Sequence, residues 1–167
     1  MHRGVHVLPL LAALTGVCVA SSSRADGSPA DALLAVVSGD PMDYAAVTRR
    51  IGDGALLAAL RDEESSAELR LAALRAAPYA RAPELLLEPV VQLAGGTDPA
   101  LAPGALRAAS QIASNLEFHL LEQRENDPAL LEPPAEALAE LAEDEDARAD
   151  LRQLARDVAS RLRALQR

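Results

Sequence analysis

The amino-acid sequence predicts an all-α protein made of stacked antiparallel helical hairpins. Half of its residues are apolar, most of them Ala and Leu, and only 2% are aromatic. Ala and Leu favour helices, whereas strands are rich in β-branched and aromatic residues. Residues 56–77 form an apolar run, a short acidic break and a second apolar run, and the pentapeptide ALRAA at 73–77 recurs at 105–109. A repeated hairpin of this kind predicts helices that stack on one another.

Capping and breaking residues define the helices of the first half of the chain. Ser28 and Asp40 each precede a proline, which is a typical helix start, and Asp53 can cap a third helix. Gly52 and Gly54 are expected to stop the helix before them. These signals predict helices over residues 29–38 and 41–51, from 53 to the acidic break at 62–66, and from that break to Pro78.

Prolines dominate the prediction for the second half. A helix from Pro83 to the glycine pair at 95–96 should be kinked or split by Pro89. A longer helix follows over 99–125, then a loop at 126–134 and a short helix over 134–142. The last helix carries apolar residues three and four apart, which are Leu151, Leu154, Val158, Leu162 and Leu165.

The N-terminal residues 1–25 have the three parts of a secretory signal: a basic start with Arg3, an apolar stretch over 5–19, and small residues after it. Cleavage after Ala20 and cleavage after Ala25 both fit. We therefore expect a periplasmic or secreted protein with one helical repeat domain over 26–167. A transmembrane anchor is the alternative, but about 15 apolar residues are short for a hydrocarbon core of about 30 Å.

Cys18 is the single cysteine of the chain and lies inside this leader. Residues 14–18 (LTGVC) resemble a bacterial lipobox, in which a lipidated cysteine follows a small residue, although Val17 takes that position here. A lipidated Cys18 would anchor the protein to a membrane, and we expect membrane association only in that case. Without Cys18 the mature chain has neither a disulfide nor a thiolate ligand.

The charge of the chain disfavours polyanionic partners. Its formal net charge at pH 7 is −9, and every one of its basic residues is an arginine. Nucleic acids and anionic membrane surfaces attract basic proteins. We therefore expect no nucleic-acid partner.

The predicted hairpins share an acidic residue in the turn and an arginine early in the second helix. The acidic residues are Asp40, Asp62, Asp98 and Asp144, and the arginines are Arg49 or Arg50, Arg70, Arg107 and Arg152. This pattern resembles the HEAT repeat family in its short bacterial form of about 30 residues, most clearly over residues 57–77. The resemblance implies about four hairpins in a short right-handed α-solenoid. It also implies structural roles, in which the aspartate caps a helix and the arginine ties neighbouring repeats together.

The sequence offers few groups for catalysis or metal binding. Once the leader is removed, His119 is the only histidine and no cysteine remains, so the usual zinc, iron and copper sites cannot be assembled. Residues 144–148 are acidic but lack the ligand spacing of a calcium loop. We therefore expect no enzyme activity and no cofactor. A small periplasmic hydrolase or lyase with His119 as general base is the weaker alternative.

Two hypotheses of binding remain. The first is a non-catalytic scaffold for an unidentified protein partner, with Arg148, Arg152 and Arg156 as a basic edge on the last helix. In the plainer interpretation these charges form surface pairs such as Asp144–Arg148 and Asp157–Arg161. The second hypothesis is a homo-oligomer in which the 151–165 stripe packs against its copy as a short coiled coil.

Overall fold

The computed structural model describes residues 27–36, 40–96, 98–121 and 127–166, without the side chains of 119–121. Within these residues all regular structure is helical, which confirms the predicted all-α class. The predicted secretory leader, with Cys18 and both cleavage positions, lies outside the described residues, as does the side chain of His119.

Eight α-helices and two short 3₁₀ segments make up the described structure. The α-helices are α1 (Pro29–Leu34), α2 (Pro41–Ile51), α3 (Asp53–Arg61), α4 (Ala67–Ala76), α5 (Leu87–Ala94), α6 (Ala102–Leu121), α7 (Pro128–Glu143) and α8 (Ala149–Ala164). The 3₁₀ segments, Ala77–Tyr79 and Pro83–Leu86, lie between α4 and α5. None of the helices described here combines the length and apolar character needed to cross a membrane.

Three helix starts that the sequence predicted are confirmed. The Ser28 hydroxyl accepts a hydrogen bond from the Asp31 N–H at 3.1 Å, and the Asp31 carboxylate accepts one from the Ser28 N–H at 3.0 Å. The Ser66 hydroxyl caps α4 in the same way, and Asp40 caps α2. These side chains satisfy N–H groups that have no partner inside the helix.

The predicted cap at Asp53 is wrong. Gly52 takes the cap position of α3 with φ 81°, and Asp53 is the first residue of the helix. The Asp53 carboxylate instead accepts hydrogen bonds from the N–H groups of Arg81 and Ala82, at 3.2 and 3.0 Å. Gly54, which was expected to stop α2, lies inside α3.

Of two predictions that rested on proline, one is confirmed and one is wrong. The helical stretch from Pro83 is split, as expected, into a 3₁₀ segment and α5, and Pro89 is the third residue of α5. The first turn of a helix needs no N–H groups for internal hydrogen bonds, so a proline is tolerated there. The expected loop at 126–134 is replaced from Pro128 onward by α7, which contains both Pro133 and Pro134.

Burial explains how α7 continues through two prolines. Leu131 and Leu138 are 0% exposed, and Pro134 is buried as well. Asp127 also caps the helix by accepting a hydrogen bond from the Ala129 N–H at 3.0 Å. Burying one leucine stabilises a fold by about 1.5–3 kcal/mol, which is comparable with the helix penalty of a proline. Tertiary packing therefore outweighs local propensity in this helix.

The helices pack in a regular order. Contacts join α3 to α4, α5 to α6 and α7 to α8. Further contacts join α3 to α5 and α5 to α7, and likewise α4 to α6 and α6 to α8. At the N-terminal end α1 and α2 contact each other, and both contact α4. A single cluster of buried side chains runs through all of these helices.

The apolar stripe of α8 faces its own chain. Val158, Leu162 and Leu165 belong to the buried core, and Leu151 and Leu154 pack against it, while α8 contacts α6 and α7. A coiled coil between two copies would need this stripe on the surface. Intramolecular packing therefore already covers this stripe, and a homo-oligomer assembled through the C-terminal helix stays a prediction.

Candidate functional site

The four predicted turn aspartates make the same local interaction. Each carboxylate accepts a hydrogen bond from the backbone N–H two residues later, at 2.8 Å for Asp40, 3.1 Å for Asp62, 2.9 Å for Asp98 and 2.9 Å for Asp144. Asp62 and Asp144 directly follow the last residues of α3 and α7. This interaction is typical of aspartate in turns and leaves these residues with a structural role.

The arginines of the second helices do not all behave alike. Arg70 donates through Nε and Nη2 to the backbone carbonyl of Asp62, at 3.2 and 2.9 Å. Arg156 donates to the carbonyl of Ala142 at 3.2 Å, near the end of α7. Each arginine binds the end of the helix that precedes its own, α3 for Arg70 and α7 for Arg156, and places a positive charge where helix carbonyls lack partners.

Arg107 and Arg152 form no such tie. In the part of the chain that the structure describes, neither makes a hydrogen bond or an ion pair. Arg152 is half-buried and Arg107 is exposed.

The predicted basic edge of α8 is largely engaged within the chain. Arg148 binds both carboxylate oxygens of Asp150, at 3.1 and 2.8 Å. Arg156 binds the end of α7, as described above, and lies 3.5 Å from a carboxylate oxygen of Glu143. Of the three predicted surface residues, two therefore have intramolecular partners.

The two surface pairs expected for α8 are not formed. Arg148 is the residue before the helix, so the four-residue spacing from Asp144 does not place the two side chains on one helical face. Asp157 accepts a hydrogen bond from Gln153 at 2.8 Å. Arg161 reaches α6, where it donates to the Ser114 hydroxyl at 2.9 Å.

A groove on the side of α2, α4 and α6 brings together residues that the sequence did not connect. Its volume is about 280 Å³. It is lined by Tyr44, Leu74, Arg75, Pro78, Tyr79, Arg107, Ala108 and Gln111. We call it the Tyr–Arg groove. It contains two of the three aromatic residues of the whole chain, so aromatic surface is concentrated at this place.

The two tyrosines form a stacked pair. Their ring centroids are 6.5 Å apart and their planes differ by 7°. Tyr44 is 4% exposed and belongs to the buried core, whereas Tyr79 is half-buried and packs against that core. Neither hydroxyl makes a hydrogen bond among the described residues. Stacked rings offer a rigid apolar surface with polar edges.

The loop that carries Tyr79 is held from two sides. On one side Asp53 of α3 binds the N–H groups of Arg81 and Ala82. On the other side the Asn115 amide of α6 donates to the Pro78 carbonyl at 2.7 Å. Because α3 and α6 are not consecutive in the chain, the position of Tyr79 depends on how both of these helices are packed.

The Asn115 bond also orients Gln111. A carbonyl only accepts hydrogen bonds, so Asn115 must direct its NH₂ toward Pro78, and its own oxygen is left to accept from the Gln111 NH₂ at 3.2 Å. The carbonyl oxygen of Gln111 makes no hydrogen bond among the described residues. The groove therefore carries an oriented acceptor for an N–H group.

The charge in the Tyr–Arg groove is positive. Arg75 and Arg107 are exposed, and neither has a hydrogen bond or an ion pair in the described part of the chain. The lining includes no aspartate or glutamate. A chain of formal charge −9 thus presents two uncompensated cations beside two aromatic rings.

A larger groove of about 780 Å³ lies between α3, α4 and α5. It contains charges of both signs, and several of them compensate each other. Arg61 and Glu88 form an ion pair across it at 3.3 Å, and Arg70 is bound to the Asp62 carbonyl. Because its arginines are engaged, this groove offers less to a ligand than the Tyr–Arg groove does.

No known relative supports an assignment of function. Comparison of the chain with protein-family models, with curated proteins and with solved structures gives no match. In the residues that the structure describes, no group of three or more His, Cys, Asp or Glu side chains is placed to hold a metal ion.

Sequence reasoning missed most of the Tyr–Arg groove. It identified Arg107 only as a structural repeat position and did not consider Tyr44, Arg75, Tyr79 or Gln111. One signal was available, because the repeated pentapeptides at 73–77 and 105–109 place Arg75 and Arg107 at the same position of the repeat. The scarcity of aromatic residues was a second signal, but the two tyrosines are distant in sequence.

Proposed function

We propose that this protein is a non-catalytic binding module for another protein and that the Tyr–Arg groove is its contact surface. The observation that carries the proposal is the grouping of Tyr44 and Tyr79 with two arginines that have no partner in the described structure. Tyrosine and arginine are enriched among the residues that dominate the energy of protein interfaces. Rigid rings also lose little conformational entropy when they bind.

The order of helix contacts supports a stacked architecture for this module. The first helices of successive hairpins, α3, α5 and α7, contact one another in turn, and so do the second helices α4, α6 and α8. We include in the proposal that these hairpins form a short right-handed α-solenoid of the HEAT type. In such a stack each unit contacts only its neighbours and the second helices build one continuous face.

The place of action is part of the proposal as well. The secretory signal over residues 1–25 supports a periplasmic or secreted protein. If Cys18 is retained and lipidated, the same module is tethered to a membrane. Mass spectrometry of the mature N-terminus distinguishes these cases, since an unmodified start at Ser21 or Asp26 excludes lipidation.

Site-specific photo-crosslinking tests the proposal in the cells that make the protein. A photoreactive residue at exposed Gln111 reports on the groove, and one at exposed Gln153 on α8 is the matched control. Amine-reactive reagents are unsuitable because the chain has no lysine. We expect discrete adducts with another protein from position 111 and none from position 153. Equal labelling from both positions, or no adduct from either, would contradict the proposal.

A further inference from the structure

We infer that the Tyr–Arg groove binds an extended acidic segment of the partner, with two carboxylates on Arg75 and Arg107 and the backbone between them crossing Tyr79. This inference rests on the proposed function and adds the chemistry of the partner. Three features of the groove support it: the spacing of its cations, their free hydrogen-bonding capacity, and its oriented amide acceptor.

The spacing follows from the close approach of α4 and α6. A Cβ atom added to Gly104 would lie 3.2 Å from Cδ2 of Leu71 and 3.6 Å from Cδ1 of Leu74, so the glycine permits the contact. Packed helices are about 8–10 Å apart, and α4 and α6 are in direct contact. Arg75 follows Leu74 on one helix, and Arg107 lies three residues after Gly104 on the other.

An extended peptide matches this geometry. Its backbone advances about 3.3 Å per residue and its side chains alternate between two faces, so two carboxylates on one face are two residues apart and separated by about 7 Å. Arg75 and Arg107 occupy the same position of the repeated pentapeptide on neighbouring helices, and both line the groove. Two acidic side chains with one residue between them can therefore reach both guanidinium groups.

The available hydrogen-bond donors of the groove favour carboxylates over other groups. A guanidinium group presents two parallel N–H donors that fit a carboxylate, and both arginines have these donors available in the described structure. No acidic residue lines the groove to compete for them. The Gln111 oxygen, held by Asn115, can accept the backbone N–H of the bound segment.

The length of the ligand is limited by the charge of the rest of the chain. The formal net charge of −9 repels a long polyanion, whereas charges beyond about 8 Å are screened at physiological ionic strength. A short segment with two carboxylates gains the two local contacts without that repulsion. For this reason the inference specifies an acidic peptide rather than a nucleic acid or an anionic membrane.

The test compares two synthetic peptides by fluorescence anisotropy on the purified chain. The first has two aspartates separated by one alanine and glycine-rich flanks, and in the second both aspartates are replaced by asparagine. We expect the aspartate peptide to bind about tenfold more tightly, and we expect its affinity to fall as salt is added. No binding of the aspartate peptide at about 1 mM, or equal binding of both peptides, overturns the inference.

Matched variants assign the binding to the groove. The double substitution Arg75→Gln and Arg107→Gln removes both cations, and Arg81→Gln with Arg163→Gln changes the net charge equally outside the groove. We expect about a tenfold loss of affinity in the first variant and none in the second. All four arginines are exposed, so melting curves should match the wild type. Equal affinity of both variants overturns the inference.

Two further results separate this inference from the proposed function. If crosslinking finds a partner that binds the Arg75→Gln, Arg107→Gln variant as well as the wild type, the function stands and the acidic segment is wrong. If anionic vesicles or single-stranded DNA bind more tightly than the aspartate peptide in a manner that needs both arginines, the class of ligand is wrong. Without any partner or peptide binding, both proposals fail.

Discussion

Two glycines near the start of α3 provide a test of backbone conformation alone. Gly52 has φ 81° and ψ 160°, whereas Gly54 is helical. A Cβ atom added at either position would have no atom within 4 Å, so steric contacts do not distinguish the two sites. Substituting each by alanine therefore measures the cost of the local backbone conformation.

The two alanine substitutions are expected to change stability in opposite directions. The backbone at Gly52 belongs to a region that only glycine occupies readily, and an alanine there costs about 1–3 kcal/mol, reduced by about 0.5 kcal/mol because alanine also restricts the unfolded chain. At Gly54 an alanine improves helix propensity by about 0.5–1 kcal/mol. The free energies of unfolding of the two variants should therefore differ by about 1–3.5 kcal/mol.

Thermal unfolding followed by circular dichroism measures this difference. For a chain of this size, 1 kcal/mol corresponds to about 2–4 °C in Tm, so the two variants should melt about 2–14 °C apart, on opposite sides of the wild type. Urea unfolding at 25 °C provides an independent value. If both substitutions shift Tm in the same direction, the assignment of Gly52 to a glycine-only conformation is refuted.

Three further predictions concern hydrogen bonds and packing. Asp53→Ala should lower the free energy of unfolding by about 1–2 kcal/mol because two backbone N–H groups lose their acceptor. Urea unfolding measures this loss of stability. The control Glu136→Ala removes an exposed carboxylate and should stay within about 0.5 kcal/mol of the wild type. Equal losses in the two variants would contradict the role of Asp53. Leu138→Ala should lower the free energy of unfolding by about 2–5 kcal/mol, because Leu138 is 0% exposed. Leu34 is 46% exposed, so Leu34→Ala should cost under about 1 kcal/mol. Equal shifts in Tm for the two variants would be inconsistent with this packing. Arg70→Met keeps the aliphatic stem and should cost about 0.5–1.5 kcal/mol in the same urea assay, and an unchanged stability would show that its carbonyl bonds contribute nothing.

The helices themselves were largely predictable from the sequence. Ala and Leu set the class, and caps such as Ser28 and Ser66 marked starts that the structure confirms. Such signals are local, because a side chain satisfies an N–H group two or three residues away. The side chain and the N–H group that it binds lie in the same short stretch of sequence, so that stretch is enough to predict the helix start.

The errors arose where a residue's partner is distant in sequence. Aspartate often caps helices, but the Asp53 carboxylate accepts hydrogen bonds from the N–H groups of Arg81 and Ala82. Proline usually breaks a helix, but Pro134 lies inside α7, on its buried face. Local propensity is a weak prior that tertiary contacts override. The residues next to Asp53 and Pro134 in the sequence give no sign of these long-range contacts.

The Tyr–Arg groove was unpredictable for the same reason. Tyr44 lies in α2 and Tyr79 in the 3₁₀ segment after α4, and only packing brings their ring centroids to 6.5 Å. The four turn aspartates, in contrast, were recognisable because their hydrogen bonds span only two residues. Repeated local motifs thus reveal the frame of the protein, while its candidate site is created by long-range contacts.

The backbone amides of the loop around Tyr79 can also be used as NMR probes of helix packing. Its Arg81 and Ala82 amides are bound by a carboxylate from α3, while its Pro78 carbonyl is bound by an amide from α6. Any change in the separation of these two helices must lengthen one set of bonds. The proton shifts of the Arg81 and Ala82 amides should therefore register such a change even when it originates in another part of the chain.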